Sequence, residues 1–192
     1  MESRCRAKAA MMKTLDLGRF RRARVWIDAL PDAVYPRSRA PVKAVAASRC
    51  LHGPTQYAAI ELFVPLGARS MYGLIGGQFH TSGGGELVVE VATSSSSERL
   101  FADSLASNVD EVRVGLPEEF VPGIWSGVDS ARTKLGTITA GNLSIDRAAH
   151  GAATSSHAIY SSLVVVMLTI FNHPSNNISD AELIEIISAA TS

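Results

Sequence analysis

Apolar and polar residues follow one another along this chain in patterns that separate strands from helices. Gln56 to Leu66 gathers Tyr57, Ile60, Leu62, Phe63 and Val64 between Pro54 and Pro65, the composition of a strand. Pro41 to Arg49 predicts an earlier strand and Gly73 to Phe79 a later one. Thr81-Ser82-Gly83-Gly84-Gly85 then reads as a turn, leading into the strand Glu86 to Ala92 (ELVVEVA). Ser95 with Glu98 would open a short helix as a capping box. Val112 and Val114 predict a short strand that stops at Gly115.

Beyond Gly115 the period changes. Phe120, Ile124, Val128, Ala131 and Leu135 recur three or four residues apart and define one buried helical face. Pro117 suits a first helical position because it has no amide hydrogen to leave unpaired, and Glu118 and Glu119 complement the positive end of the helix dipole. Pro122 fits only if the helix proper begins near it, after a tight opening turn. Lys134 closes the last turn and Gly136 offers a C-cap. Thr137 to Asp146 predicts a strand and His150 to Ser156 a loop. His157 to about Phe171 reads as a second helix, although Val164-Val165-Val166 favours a strand by propensity. Ser179 and Glu182 form a capping box ahead of Leu183, Ile184, Ile186 and Ile187.

Composition adds an asymmetry. The 192 residues carry 18 basic and 18 acidic side chains. Residues 1–49 hold twelve of the bases against four acids (+8), leaving six against fourteen (−8) in the remainder. Such a basic front is either an arm for an anionic partner or a flexible leader whose charges are solvated. Cys5 and Cys50 make no disulfide framework, which points to a reducing, cytoplasmic setting. No apolar core of a secretory signal is present. Asp16, Asp28 and Asp32 argue against a transit peptide, and Met11 and Met12 offer alternative starts. The longest apolar run, Leu163 to Leu168, is far shorter than the roughly 20 residues of a membrane span.

The stretch Leu116-Pro117-Glu118-Glu119-Phe120-Val121-Pro122-Gly123-Ile124, with both prolines in register, resembles domain IV of the translation elongation factor G class. Gly83-Gly84-Gly85 before Glu86 to Val91 fits the family's glycine turn and long strand. Asn142 to Asp146, the loop Arg147 to Thr154 and the helix opening Ser155-Ser156-His157-Ala158 fit its last strand, loop and helix. The resemblance covers residues 80–171. It implies an α+β fold: a four-stranded, mostly antiparallel sheet with helices on one face and a left-handed βαβ crossover, an exception to the usual handedness. The chain then divides into a basic, flexible extension (1–40), the domain IV-like unit (41–175) and a C-terminal helix (176–192). No G-x-x-x-x-G-K-[ST] phosphate loop occurs, so the family's GTPase part is missing.

In that family the domain tip enters the ribosomal decoding site through two loops, one of them carrying a histidine. The counterpart here is His150, a slip of one residue from Gly151, with Arg147 beside it. An imidazole at a loop tip stacks on a base or bonds to phosphate. The second loop would be His80, Thr81, Gly83 and Gly84. The implied function is a non-catalytic, translation-factor-like binding module contacting ribosome, RNA or a protein partner along this loop edge. The alternatives are an enzyme on the same fold, acting on RNA or a small phosphorylated metabolite, and a diverged protein-interaction domain. The enzyme reading requires Asp146, His150, His157 and Ser155 or Ser156 to line one pocket. Nothing in the sequence assigns a catalytic residue, a metal or a cofactor.

Overall fold

The apolar run at residues 56–66 becomes a long strand, and its register shows how the surrounding sheet is built. In the computed structural model, which describes residues 11–50, 52–95, 99–175 and 177–191, the order is β1 (Met11–Asp16), β2 (Arg22–Ile27), β3 (Val42–Ala46), β4 (Gln56–Leu66), β5 (Arg69–Thr81), β6 (Glu86–Val91) and β7 (Val112–Val114). Then follow α1 (Val121–Leu135), β8 (Gly141–Gly151), α2 (His157–Asn172) and α3 (Asp180–Ala190). The architecture is α+β. One mixed sheet runs β1-β2-β4-β5-β8-β6-β3, and β7 also pairs with β8.

This sheet has eight strands, where the resemblance implied four. The additional pairs come largely from the front of the chain. Residues 11–27, expected within a flexible basic extension, form the hairpin β1–β2, and β2 pairs with β4 from Arg22↔Phe63 to Ile27↔Ala58. The alternation Leu15, Leu17, Ala23, Val25, Ile27 buries one side of this hairpin. Residues 1–10 of the expected extension lie outside the described residues. So do residues 96–98, on which most of the short helix expected from Ser95 would fall.

Strand β8 is the centre. It pairs antiparallel with β5 along one side; along the other it meets β6 in parallel and β7 antiparallel. A β-bulge sits between Gly76 and Gly77 of β5. The strand starts and ends later than the expected 137–146, because β7 claims the Ala149–Gly151 end.

Helix α2 lies on β4 and β5, with α1 and α3 packed beside it. All of Leu163 to Leu168 is buried, and this enclosure on every side outweighs the strand propensity of its three valines. The approach of α1 is close. A β-carbon at Gly127 would lie 2.6 Å from the Ser161 carbonyl oxygen and 2.7 Å from Val164 Cβ. The double-proline segment folds as its composition requires: a 3-10 turn over Glu118–Phe120, then α1 with Pro122 in its first turn and Gly136 at its C-cap. The Ser179–Glu182 capping box forms, and α3 clasps β1 through Lys13, whose ammonium donates to the Ile178 carbonyl (2.9 Å) and pairs with Asp180 (2.6 Å).

The opposite face of the sheet is covered by residues 28–41 and 99–111. Glu61, wholly buried, ties the second segment down. It accepts from the Leu105 amide (2.8 Å), the Tyr72 hydroxyl (3.0 Å) and Arg24 (3.3 Å). Arg24 continues to the Asp103 carbonyl and carboxylate. Among the described residues, no helix is long and apolar enough to cross a membrane.

Candidate functional site

The sheet has two ends, and the residues singled out from the sequence divide between them. At one end lie the turns β1–β2, β4–β5 and β8–α2, because Arg22 pairs with Phe63, Leu66 with Arg69 and Leu74 with Ala149. At the other lie His80, Thr81, Gly83 and Gly84, since Thr81 pairs with Gly141. From Gly141 to Gly151 is about 33 Å of extended chain. The two segments therefore do not form one loop edge.

His150 is not at a loop tip. It stands inside β8, paired with Arg113 of β7, and its Nδ1–H donates to the Gly115 carbonyl (3.0 Å). Burial pushes its pKa below the ordinary histidine value, more than the Gly115 bond and nearby Glu119 raise it. The ring is thus neutral near pH 7 and offers no positive charge to a phosphate. Arg147 lies in mid-strand opposite Gly76, with its guanidinium on Asp146 (3.0 Å) and a bridge from Val34 alongside. Gly151 is a strand end whose amide donates to Ser155 Oγ (2.9 Å).

The turn that follows is held rigidly. Asp110 accepts from the amides of Ala153 (3.0 Å) and Thr154 (2.9 Å) and from the Thr154 hydroxyl (2.6 Å). Burial draws its pKa up, but these bonds together outweigh that and leave it below the usual aspartate value. Ser155 donates to the Tyr72 carbonyl (2.8 Å), and Ser156 caps α2. His157 donates from Nε2 to the Glu119 carbonyl (2.7 Å). The four groups that an enzyme reading needed together are thus each engaged with backbone or a sequence neighbour, and His150 and His157 are separated by the Phe120 ring, whose centroid lies 6.2 Å and 6.4 Å from theirs. At the far end, His80 Nδ1 meets Thr55 Oγ1 (2.8 Å), and the Cys50 thiol donates to the Gly84 carbonyl (3.1 Å). Among the described residues no group of three or more His, Cys, Asp or Glu is placed to hold a metal.

The conspicuous surface at the first end is one the sequence reading assigned to a leader. The β1–β2 turn carries Arg19, Phe20, Arg21 and Arg22, and Phe20 is 86 % exposed. Gly18, Arg19 and Phe20 all take left-handed backbone angles (φ 73°, 52° and 64°). The loop is locked by Leu17 N–H to the Arg21 carbonyl (3.0 Å), Arg21 N–H to the Gly18 carbonyl (3.1 Å) and Gly18 N–H to Asp16 Oδ1 (2.8 Å). Beside it an open groove of about 650 Å³ contains Phe63, over whose ring Arg22 sits with its guanidinium carbon 5.9 Å from the centroid. Arg69 is exposed on the neighbouring turn. Unlike Arg24, which is bound to Glu61 and Asp103, these four arginines make no ion pair among the described residues. The signal was present in the sequence: Asp16-Leu17-Gly18 is a turn between two alternating segments, and it lay hidden under the basic composition. Comparisons of the chain with protein-family models, with curated proteins and with solved structures give no match.

Proposed function

We propose that this chain is a non-catalytic binding module that contacts RNA through the end of the sheet formed by the β1–β2, β4–β5 and β8–α2 turns. The observation that carries this reading is the cluster of Arg19, Arg22 and Arg69 there, which make no ion pair among the described residues and are faced by Asp16 in the adjoining groove, while the Arg21 guanidinium beside them donates to the Leu17 (3.1 Å) and Gly18 (3.4 Å) carbonyls of its own loop. Cationic side chains left without a neutralising acid are the electrostatic footprint of a phosphate backbone. The resemblance to elongation factor G domain IV supports the same partner. On that reading, β6, α1 and β8 are its left-handed crossover, and the chain is a diverged relative of that domain. His150 then acts within the fold, tying β8 to the start of the double-proline segment.

Co-sedimentation with ribosomes and filter binding to total RNA, each with and without nuclease, test the proposal. Association should weaken steeply between about 50 mM and 200 mM salt, as released counterions require. Failure to bind ribosomes or RNA at the lower salt would refute it. Binding that survives nuclease would transfer the reading to a protein partner.

A further inference from the structure

The β1–β2 turn carries more than charge. A bulky residue with positive φ is a steric outlier, and an aromatic ring almost wholly in water gains nothing from burial. Phe20 combines both, in a loop whose hydrogen bonds fix it in place. Within the next two residues stand two arginines. The adjoining groove holds a second ring, Phe63, under the Arg22 guanidinium. We infer that this turn is a stacking site for unpaired nucleotides: Phe20 stacks on an exposed base while Arg19 and Arg22 hold the flanking phosphates. The inference rests on the RNA-binding reading and names the form of nucleic acid recognised.

Single strands are favoured over duplex by the chemistry of the ring. In a double helix the base faces are hidden, so a duplex would use the arginines alone and leave Phe20 in water. In a single strand every base presents a face, and stacking on an aromatic side chain tolerates any sequence. A membrane surface suits the turn less well. Phe20 and the half-exposed Leu66 of the β4–β5 turn together supply too little apolar area for stable insertion, and the second ring is 6 % exposed beneath a cation.

Fluorescence anisotropy of the full chain with a labelled oligouridylate, the corresponding oligothymidylate and an RNA duplex of equal length tests this at about 50 mM salt. Vesicles of phosphatidylserine and phosphatidylcholine form a parallel arm. Wild type should prefer the single strands. Phe20→Ala should weaken that binding about tenfold to a hundredfold, while Phe20→Trp retains it. Arg19→Ala and Arg22→Ala should each lower the salt slope by about 0.7. If Phe20→Ala binds oligouridylate as wild type does, or the duplex is preferred, the stacking site is refuted while charge-driven RNA binding stands. Absence of all nucleic-acid binding removes both proposals. Vesicle binding without oligonucleotide binding reassigns the turn to a lipid surface and equally overturns the inference.

Discussion

Replacing Phe20 by Asn should leave the fold as stable as before, or slightly more so. The ring is 86 % exposed, so only about one seventh of a phenylalanine's roughly 200 Å² is sheltered, worth about 0.7 kcal/mol. Against this stands the left-handed φ of 64°, which costs an L-residue about 1–2 kcal/mol and Asn considerably less. The two terms nearly offset, and the expected change lies between about 0 and 1 kcal/mol in favour of Asn. A phenylalanine that helped to build the fold would instead lose about 3–5 kcal/mol on truncation. Urea unfolding reads the difference directly, provided the m-value is unchanged. Phe20→Val serves as the opposite control: a β-branched side chain raises the backbone cost beyond that of phenylalanine and should lose about 1–2 kcal/mol. A loss above about 1 kcal/mol for Phe20→Asn would show that the ring packs structurally, and the case for a surface role bought at the expense of stability would fail.

Two further outcomes follow from hydrogen-bonded carboxylates, the part-exposed Asp110 and the buried Glu61. Asp110→Asn should cost about 1–2 kcal/mol by weakening the clamp on Ala153 and Thr154. Because the carboxyl's pKa is lowered in the fold, that advantage is intact above the unfolded value of 3.8 and disappears as pH falls below it, which paired urea titrations will read. Glu61→Ala, which strands the Tyr72 hydroxyl and the Leu105 amide and leaves Arg24 only its exposed Asp103 partner, should cost about 3–5 kcal/mol. Burial raises the pKa of Glu61 despite Arg24, so the sign is reversed: wild type loses ground to Glu61→Gln as pH rises through the unfolded value of 4.5. A gap between those two proteins that stays constant with pH would refute the assignment.

Where the chain declares its structure locally, the sequence was sufficient. The limits of β4, the late start of α1 at Pro122 and the capping box of α3 all depend on residues within a few positions of one another. The hairpin β1–β2 was missed because Arg19, Arg21, Arg22 and Arg24 read as a solvated leader, although Leu15, Ala23, Val25 and Ile27 alternate beneath them. The end of β8 was misread for a different reason. Arg147, His150 and Gly151 have the polarity of a loop, and only distant partners, Gly76 of β5 for Arg147 and β7, 37 residues earlier at Arg113↔His150, turn them into strand. The candidate site suffered most, since whether His150 meets His80 depends on register along β8, which no local pattern encodes.

The position of β8 in the sheet has a consequence for how the chain is made. Before residue 141 has been synthesised, the strands already present can assemble only as β1-β2-β4-β5 and as β3-β6, two ribbons that share no ladder. Each has an open edge, along β5 and β6, awaiting the same missing partner. The last strand to emerge closes both at once. A nascent or prematurely terminated chain lacking it is therefore left with two unpaired edges, prone to pairing with other chains, and the completed sheet forms late and in a single cooperative step.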